Sequence, residues 1–149
     1  LLPHLPRLRG VMGMVQLEVA KRIAAEPGEK DFGYLSVLVQ GRATAKILRR
    51  IEPHNFKPVP KVMSATILIE ARPDPLPAGN DFYAFASLCF AQKRKMLHNV
   101  LERAYPKKTV VEALEQMAID PKVRAESLSA DQLYALYQII GKPEALLTN

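Results

Sequence analysis

Hydrophobic positions follow one rhythm up to residue 72 and another after residue 80, and each stretch predicts its own kind of element. Val11-Met12-Gly13-Met14-Val15 is a short, nearly continuous apolar run, the pattern of a strand covered on both faces in a parallel sheet. Leu17, Ala20, Ile23 and Ala24 then share one helical face, Glu18 and Arg22 are spaced for an i,i+4 ion pair, and Pro27-Gly28 stops the helix. A strand feeding a helix in this way is a unit of an α/β fold. Leu35 to Gln40 has the β-branched content of a strand, but Phe32-Gly33-Tyr34-Leu35-Ser36 suits a helix start, and a helix is favoured. From Ala43 to Ile51 the period is two, with Thr44, Lys46, Leu48 and Arg50 on one side and Ala45, Ile47 and Ile51 on the other. Val62 to Glu70 alternates likewise, so these two strands should flank a loop and pair antiparallel.

Residues 73–80, within the run Ala71-Arg72-Pro73-Asp74-Pro75-Leu76-Pro77-Ala78-Gly79-Asn80, form a Pro-rich linker, after which the period becomes that of helices. Phe82, Phe85, Ala86 and Cys89 mark one helix, and Leu97, Val100, Leu101 and Ala104 the next. Thr109 with Glu112, and Ser129 with Gln132, make capping-box patterns that open two more. Asp120-Pro121 predicts a short helical turn, and Gly141 and Pro143 end a last helix whose Leu133, Leu136, Tyr137 and Ile140 face inward. The division expected is an α/β part over residues 1–72, the linker, and an all-helical part over 81–149.

Charge changes this picture unevenly. The chain has 21 Lys and Arg against 15 Asp and Glu, a net +6 and a pI near 9.6, which favours a polyanionic partner. Residues 1–72 carry 12 basic and 6 acidic side chains, whereas 73–149 carry nine of each. Within that neutral half, Lys93, Arg94, Lys95, Arg103, Lys107 and Lys108 cluster against Glu102 alone. Such a run is commonly just a solvated face. However, Lys93 and Arg94 lie seven residues before Val100 and Leu101, so a continuous helix would place them on its apolar stripe and at its cation-disfavouring N-terminus. That placement marks them as candidate docking residues.

The single Cys89 excludes an intrachain disulfide, suits a reducing cytoplasm and reads as a buried thiol. His4, His54 and His98 are too scattered for a metal site. The five tyrosines read as core packers with their hydroxyls turned outward. No apolar run reaches the ~18–20 residues that span a bilayer. A monomer without a membrane partner is expected. The opening Leu1-Leu2-Pro3-His4-Leu5 reads as the end of a helix or a loop leading into a strand, as if the sequence began in mid-domain.

One loop carries candidate chemistry. In Asn55-Phe56-Lys57-Pro58-Val59-Pro60-Lys61 an aromatic stands among prolines and lysines just before a strand. Proline fixes its own φ and holds the preceding residue extended, so Phe56 has little freedom to fold back and could offer its ring to a nucleobase. The alternative is a plain connection with Phe56 as a core plug.

The blocks Val15-Gln16-x-Glu18-Val19-Ala20, Gly33-x-Leu35-Ser36-Val37-x-Val39-Gln40, Phe56-x-Pro58-x-Pro60-Lys61-Val62-x-Ser64 and Phe90-x-Gln92-x-Arg94-Lys95 occur in this order. Ile119-Asp120-Pro121 with Arg124 and Leu128-Ser129 follows them. Together they resemble the ribosomal RNA adenine dimethyltransferases of the KsgA type, over roughly residues 8 to 140. The resemblance implies a Rossmann-like methyltransferase domain, here its C-terminal strands and helices, followed by a small all-α domain that binds rRNA. It implies S-adenosylmethionine-dependent N6-dimethylation of two adjacent adenines, with the small ribosomal subunit or its precursor as partner. It makes Phe56 the residue that stacks on the target adenine. Lys57, Lys61, Lys93, Arg94, Lys95, Arg103, Lys107 and Lys108 become the RNA-binding set. Val59 for a proline, Met63 for an aspartate and Leu17 for a lysine depart from the family pattern. The family's Gly-rich cofactor loop, acidic ribose ligand and catalytic Asn-Leu-Pro-Tyr-type motif are expected upstream of residue 1, since Gly10 and Gly13 do not make a G-x-G-x-x-G element. Two other readings stay open: a large-subunit methyltransferase of the macrolide-resistance type, and a non-catalytic rRNA-binding or assembly module.

Overall fold

The computed structural model describes residues 10–142; residues 1–9, with His4 and the opening segment, and Pro143 lie outside them. Strand β1 (Gly10–Gln16) runs straight into helix α1 (Leu17–Ala24), and α2 (Tyr34–Gln40) leads to β2 (Ala43–Ile51). After the loop, β3 (Ser64–Ala71) returns between its two predecessors, giving the sheet order β1-β3-β2. Both outer strands pair antiparallel with β3, so β1 and β2 run parallel to one another.

The expectation for β1 is corrected here. Its paired neighbour is antiparallel, and its side chains alternate between half-buried and exposed, Met12 being 67% and Met14 54% exposed. One sheet face packs on α1 and α2 through Ala20, Ile23 and Val39, which meet Ala65, Ile67 and Ile69 of β3. No helix among the described residues covers the other face, so among them the apolar run is buried on one side only.

The period of β2 also breaks. Ile47 stands opposite Ile67 but Arg49 opposite Thr66, leaving Leu48 as a bulge. The extra residue exchanges the faces. Arg50 therefore lies opposite Ala65 on the side of Ala45 and Ile47, while Ile51 leaves that side, the reverse of the simple alternation.

The C-terminal end of α1 is closed by α2. The buried Ser36 hydroxyl donates to the Arg22 carbonyl, and Gln40 Nε2 donates to the carbonyls of Ile23 (3.2 Å) and Ala25 (2.7 Å). These side chains satisfy carbonyls that a helix end leaves without partners. The Leu-Ser-Val-x-Val-Gln block is thus a structural device.

Helices α3 (Asn80–Cys89), α4 (Leu97–Leu101), α5 (Lys107–Gln116) and α6 (Ala130–Ile140) complete the chain. Phe82, Phe85, Leu97, Leu101, Leu114, Leu133 and Leu136 are almost fully buried. Each such side chain stabilises the fold by ~1.5–3 kcal/mol. The same cluster takes in Ala25, Phe32 and Val37, so the helical half shares its core with the segment around α2. Ser129 caps α6 in the expected box, its hydroxyl accepting from Gln132 N while Gln132 Oε1 accepts from Ser129 N. The box expected at Thr109 is absent, because α5 already starts at Lys107 with Pro106 before it and Thr109 falls inside its first turn. Asp120 caps a turn, accepting the Lys122 N–H at 2.8 Å, with no helix starting at Pro121.

Two arginines join the sheet to the helices. Arg42 Nε donates to the Tyr83 hydroxyl (3.0 Å) and Nη2 to the Ala78 carbonyl (3.1 Å). Arg72 meets Asp131 at the start of α6 in a bidentate pair of 2.9 and 3.1 Å, and Nη1 also reaches the Gln40 carbonyl. The Tyr83 and Tyr105 hydroxyls are tied down internally, Tyr105 donating to the Gly141 carbonyl at 2.8 Å, in place of the outward orientation expected. His98 is buried, with Nδ1 2.8 Å from the Pro121 carbonyl, so the nitrogen donates there.

Candidate functional site

The carboxyl ends of β1 and β2 meet at one edge of the sheet, since Gln16 and Ile51 both stand opposite Ser64, the first residue of β3. The loop between Ile51 and Ser64 rises from this edge. It opens with a single 3-10 turn, Pro53–Asn55, closed by Phe56 N–H donating to the Pro53 carbonyl at 3.1 Å. Phe56 is extended (φ −120°, ψ 153°) and half-buried. It joins neither hydrophobic core, which does not favour the core-plug reading. Lys57, Val59, Lys61 and Val62 are exposed around it, Val59 at 63%. The loop is anchored to the neighbouring strand–helix junction by Leu17 N–H, which donates to the Met63 carbonyl at 2.9 Å.

The basic residues predicted from the sequence fall in separate segments. Lys93, Arg94 and Lys95 are exposed, but they occupy a turn between α3 and α4 instead of a continuous helix. Phe90 packs on Phe32 with ring centroids 6.2 Å apart, the chain turns there, and α4 begins only at Leu97 after an extended Met96. These three cations therefore do not stand at an unfavourable helix end, contrary to expectation. Lys107 and Lys108 do, as the first two residues of α5, where no acidic side chain offsets the dipole in the first turn. Lys108 approaches Glu112 at 3.6 Å. Arg103 is exposed between α4 and α5. The Lys93 stem passes over Gly33, its Cε 3.9 Å from where a Cβ would stand, so this turn lies against the start of α2.

The composition of the β1 end bears on the cofactor. Gly10 and Gly13 stand within the strand, opposite Glu70 and Ile67, and β1 passes into α1 with no glycine turn between them. The described residues contain no glycine-rich strand–turn–helix cradle of the kind that holds a nucleotide cofactor. They hold no group of three or more His, Cys, Asp or Glu side chains suited to a metal. No helix among them is long and apolar enough to cross a membrane.

The model of a family described as ribosomal RNA adenine dimethylase matches residues 2–142. The chain belongs to that family. Family members use S-adenosylmethionine. The ribosomal RNA small subunit methyltransferase A of Novosphingobium aromaticivorans is 40% identical to this chain over 140 residues, covering 92% of it and 50% of the relative. The protein of the same name from Chlamydia abortus is 36% identical over 133 residues, covering 87% and 48%. Among solved structures, a dimethyladenosine transferase from Plasmodium falciparum shares the fold with a TM-score of 0.76 at 20% identity, covering 91% of this chain and 59% of that one. The 23S rRNA methyltransferase ErmE gives a TM-score of 0.63 at 24% identity, covering 89% and 55%. The chain spans about half the length of the curated relatives it matches.

The family blocks divide by role once their places are known. Ser36 and Gln40 cap a helix, and the Ile119-Asp120-Pro121 block seats α4, through His98 on the Pro121 carbonyl and Leu97 N–H on the Val123 carbonyl at 2.8 Å. The Phe56 and Lys93–Lys95 blocks leave exposed cations that form no ion pair among the described residues. The alternation of β2 does not reveal the face of Arg50, which the bulge at Leu48 sets.

Proposed function

We propose that this chain is the target-base and rRNA-docking part of an enzyme that uses S-adenosylmethionine to dimethylate N6 of two adjacent adenosines in small-subunit rRNA. The observation that carries the reading is the position of Phe56, outside both cores, where the carboxyl ends of parallel β1 and β2 converge. In α/β sheets this end is where ligands bind. The names of the Novosphingobium and Chlamydia relatives direct the substrate to the small subunit.

In this reading residues 1–72 are the last strands and helices of a Rossmann-like methyltransferase domain, and 81–149 a helical rRNA-binding domain. An adenine must leave its stack before its amine can be alkylated. The Phe56 ring replaces part of the lost stacking, worth ~1–3 kcal/mol per base. Lys57 and Lys61 neutralise phosphates beside it, while Lys93, Arg94, Lys95, Arg103, Lys107 and Lys108 dock the rRNA. The methyl donor and the groups that orient the amine belong to the half of the relatives' length that this chain does not span, so the chain alone does not transfer methyl groups.

The test is a chimera joining the upstream half of the Novosphingobium relative to this chain, assayed on undermethylated small subunits. Phe56→Ala should lower methylation about tenfold or more, the loss of one stacked base, while thermal stability stays close to the parent. Equal losses of folding and activity would return Phe56 to the role of a core plug. Methylation of large subunits in preference to small ones would overturn the substrate assignment.

A further inference from the structure

Three grooves adjoin one another around α1 and the end of β2. The first is lined by Gln16, Leu17, Lys21, Lys30, Val62 and Met63, immediately after the Phe56 loop. The second shares Lys21 and Lys30 and adds Ile47 and Arg50. The third shares Arg50 and continues through Arg49, His54 and Asn55, immediately before Phe56. The shared residues make one track that begins and ends at the two feet of the loop.

Lys21, Lys30, Arg49 and Arg50 are exposed on this track, and none forms an ion pair among the described residues. Carboxylates line the same grooves: Glu18 pairs with Arg22, while Glu29, which accepts the Glu26 N–H at 2.8 Å, Asp31 and Glu52 keep their charge. Arg50 joins the lysines only because the Leu48 bulge moves it to the α1 face. Bulges commonly re-aim a side chain beside a functional site.

We propose that Lys21, Lys30, Arg49 and Arg50 bind the phosphates of single-stranded RNA flanking the base held at Phe56. The proposal rests on the RNA-docking reading above, but on residues which that reading does not use. A base drawn to the carboxyl ends of β1 and β2 brings its neighbouring phosphates toward the loop's feet, beside the grooves these cations line. Cations strung along a groove suit a phosphate backbone, which carries no sequence information.

The experiment is fluorescence anisotropy of a short adenine-containing single-stranded RNA with the 149-residue chain across a potassium chloride series. Replacing all four residues by Gln should weaken binding about tenfold or more, and the salt dependence should flatten by about 0.7 in slope for each phosphate that is no longer neutralised. In the unmodified chain, RNA should protect Lys21 and Lys30 from acetylation, a readout that needs no variant to fold. Unchanged affinity and slope in the Gln variant, with Lys93, Arg94 and Lys95→Ala still weakening small-subunit binding, would overturn the track and leave the docking reading intact. Failure of the unmodified chain to bind either RNA or small subunits would overturn both.

Discussion

Cys89 shows how far a side chain's chemistry is set by its surroundings. The thiol is 1% exposed in the helical core, and burial pushes its pKa far above the ordinary cysteine value. Only the thiolate reacts. A thiol-specific reagent should therefore label the native chain orders of magnitude more slowly than the chain in denaturant, and comparable rates would mean the core opens readily. That burial was legible from the apolar spacing of Phe82, Phe85, Ala86 and Cys89. The groove-lining position of Arg50 was not, because a bulge depends on how a neighbouring strand pairs and leaves no mark in the alternation of its own strand. Phe56 lies between these cases: its stiff, basic surroundings could be read along the chain, but its separation from both cores could not.

Among the elements, helix ends were the least legible. Ser129 and Gln132 form the expected box, yet the same pattern at Thr109 is overridden by Pro106 and by the packing of Val110, which is fully buried. The far end of α5 carries a residue that no local pattern singles out. Ala118 has φ of 56°, its N–H bonded to the Glu115 carbonyl, while Ile119 N–H reaches back to Leu114 at 2.9 Å. Left-handed backbone costs a residue with a Cβ ~1–2 kcal/mol, and glycine is the usual occupant of such helix ends. Ala118→Gly should thus stabilise the chain by about 0.5–1 kcal/mol in urea unfolding, the strain relieved less the entropy that glycine adds to the unfolded chain. A destabilisation of that size would mean the turn is not strained.

The molecule as a unit depends on how its sheet meets its helices, and the Arg72–Asp131 ion pair is one of the polar contacts at that junction. The hydrogen bond from Arg72 holds the Asp131 carboxyl below its ordinary pKa, and the same bond raises that of Arg72. A depressed carboxylate pKa gives stability that is present above the unfolded value near ~4 and is lost as pH falls through the folded one. Asp131 is 56% exposed, so solvent screening limits its worth to about 1 kcal/mol at neutral pH. Asp131→Asn should cost that amount at pH 7, and the two stability curves should converge as the solution is acidified below the ordinary carboxylate range. A gap that persists in acid would point to packing instead of charge. Residue order was enough to establish the strand–helix opening, the strands on either side of the Phe56 loop, the change to helical period after the linker and the family blocks. All of these rest on spacing between near neighbours. Folding in three dimensions settled the rest: β3 returns between β1 and β2, one sheet face carries no helix among the described residues, Lys93 to Lys95 leave the helix, and the Leu48 bulge carries Arg50 to the lysines of the α1 side. These outcomes depend on contacts between residues far apart in the chain, whose geometry periodicity cannot express.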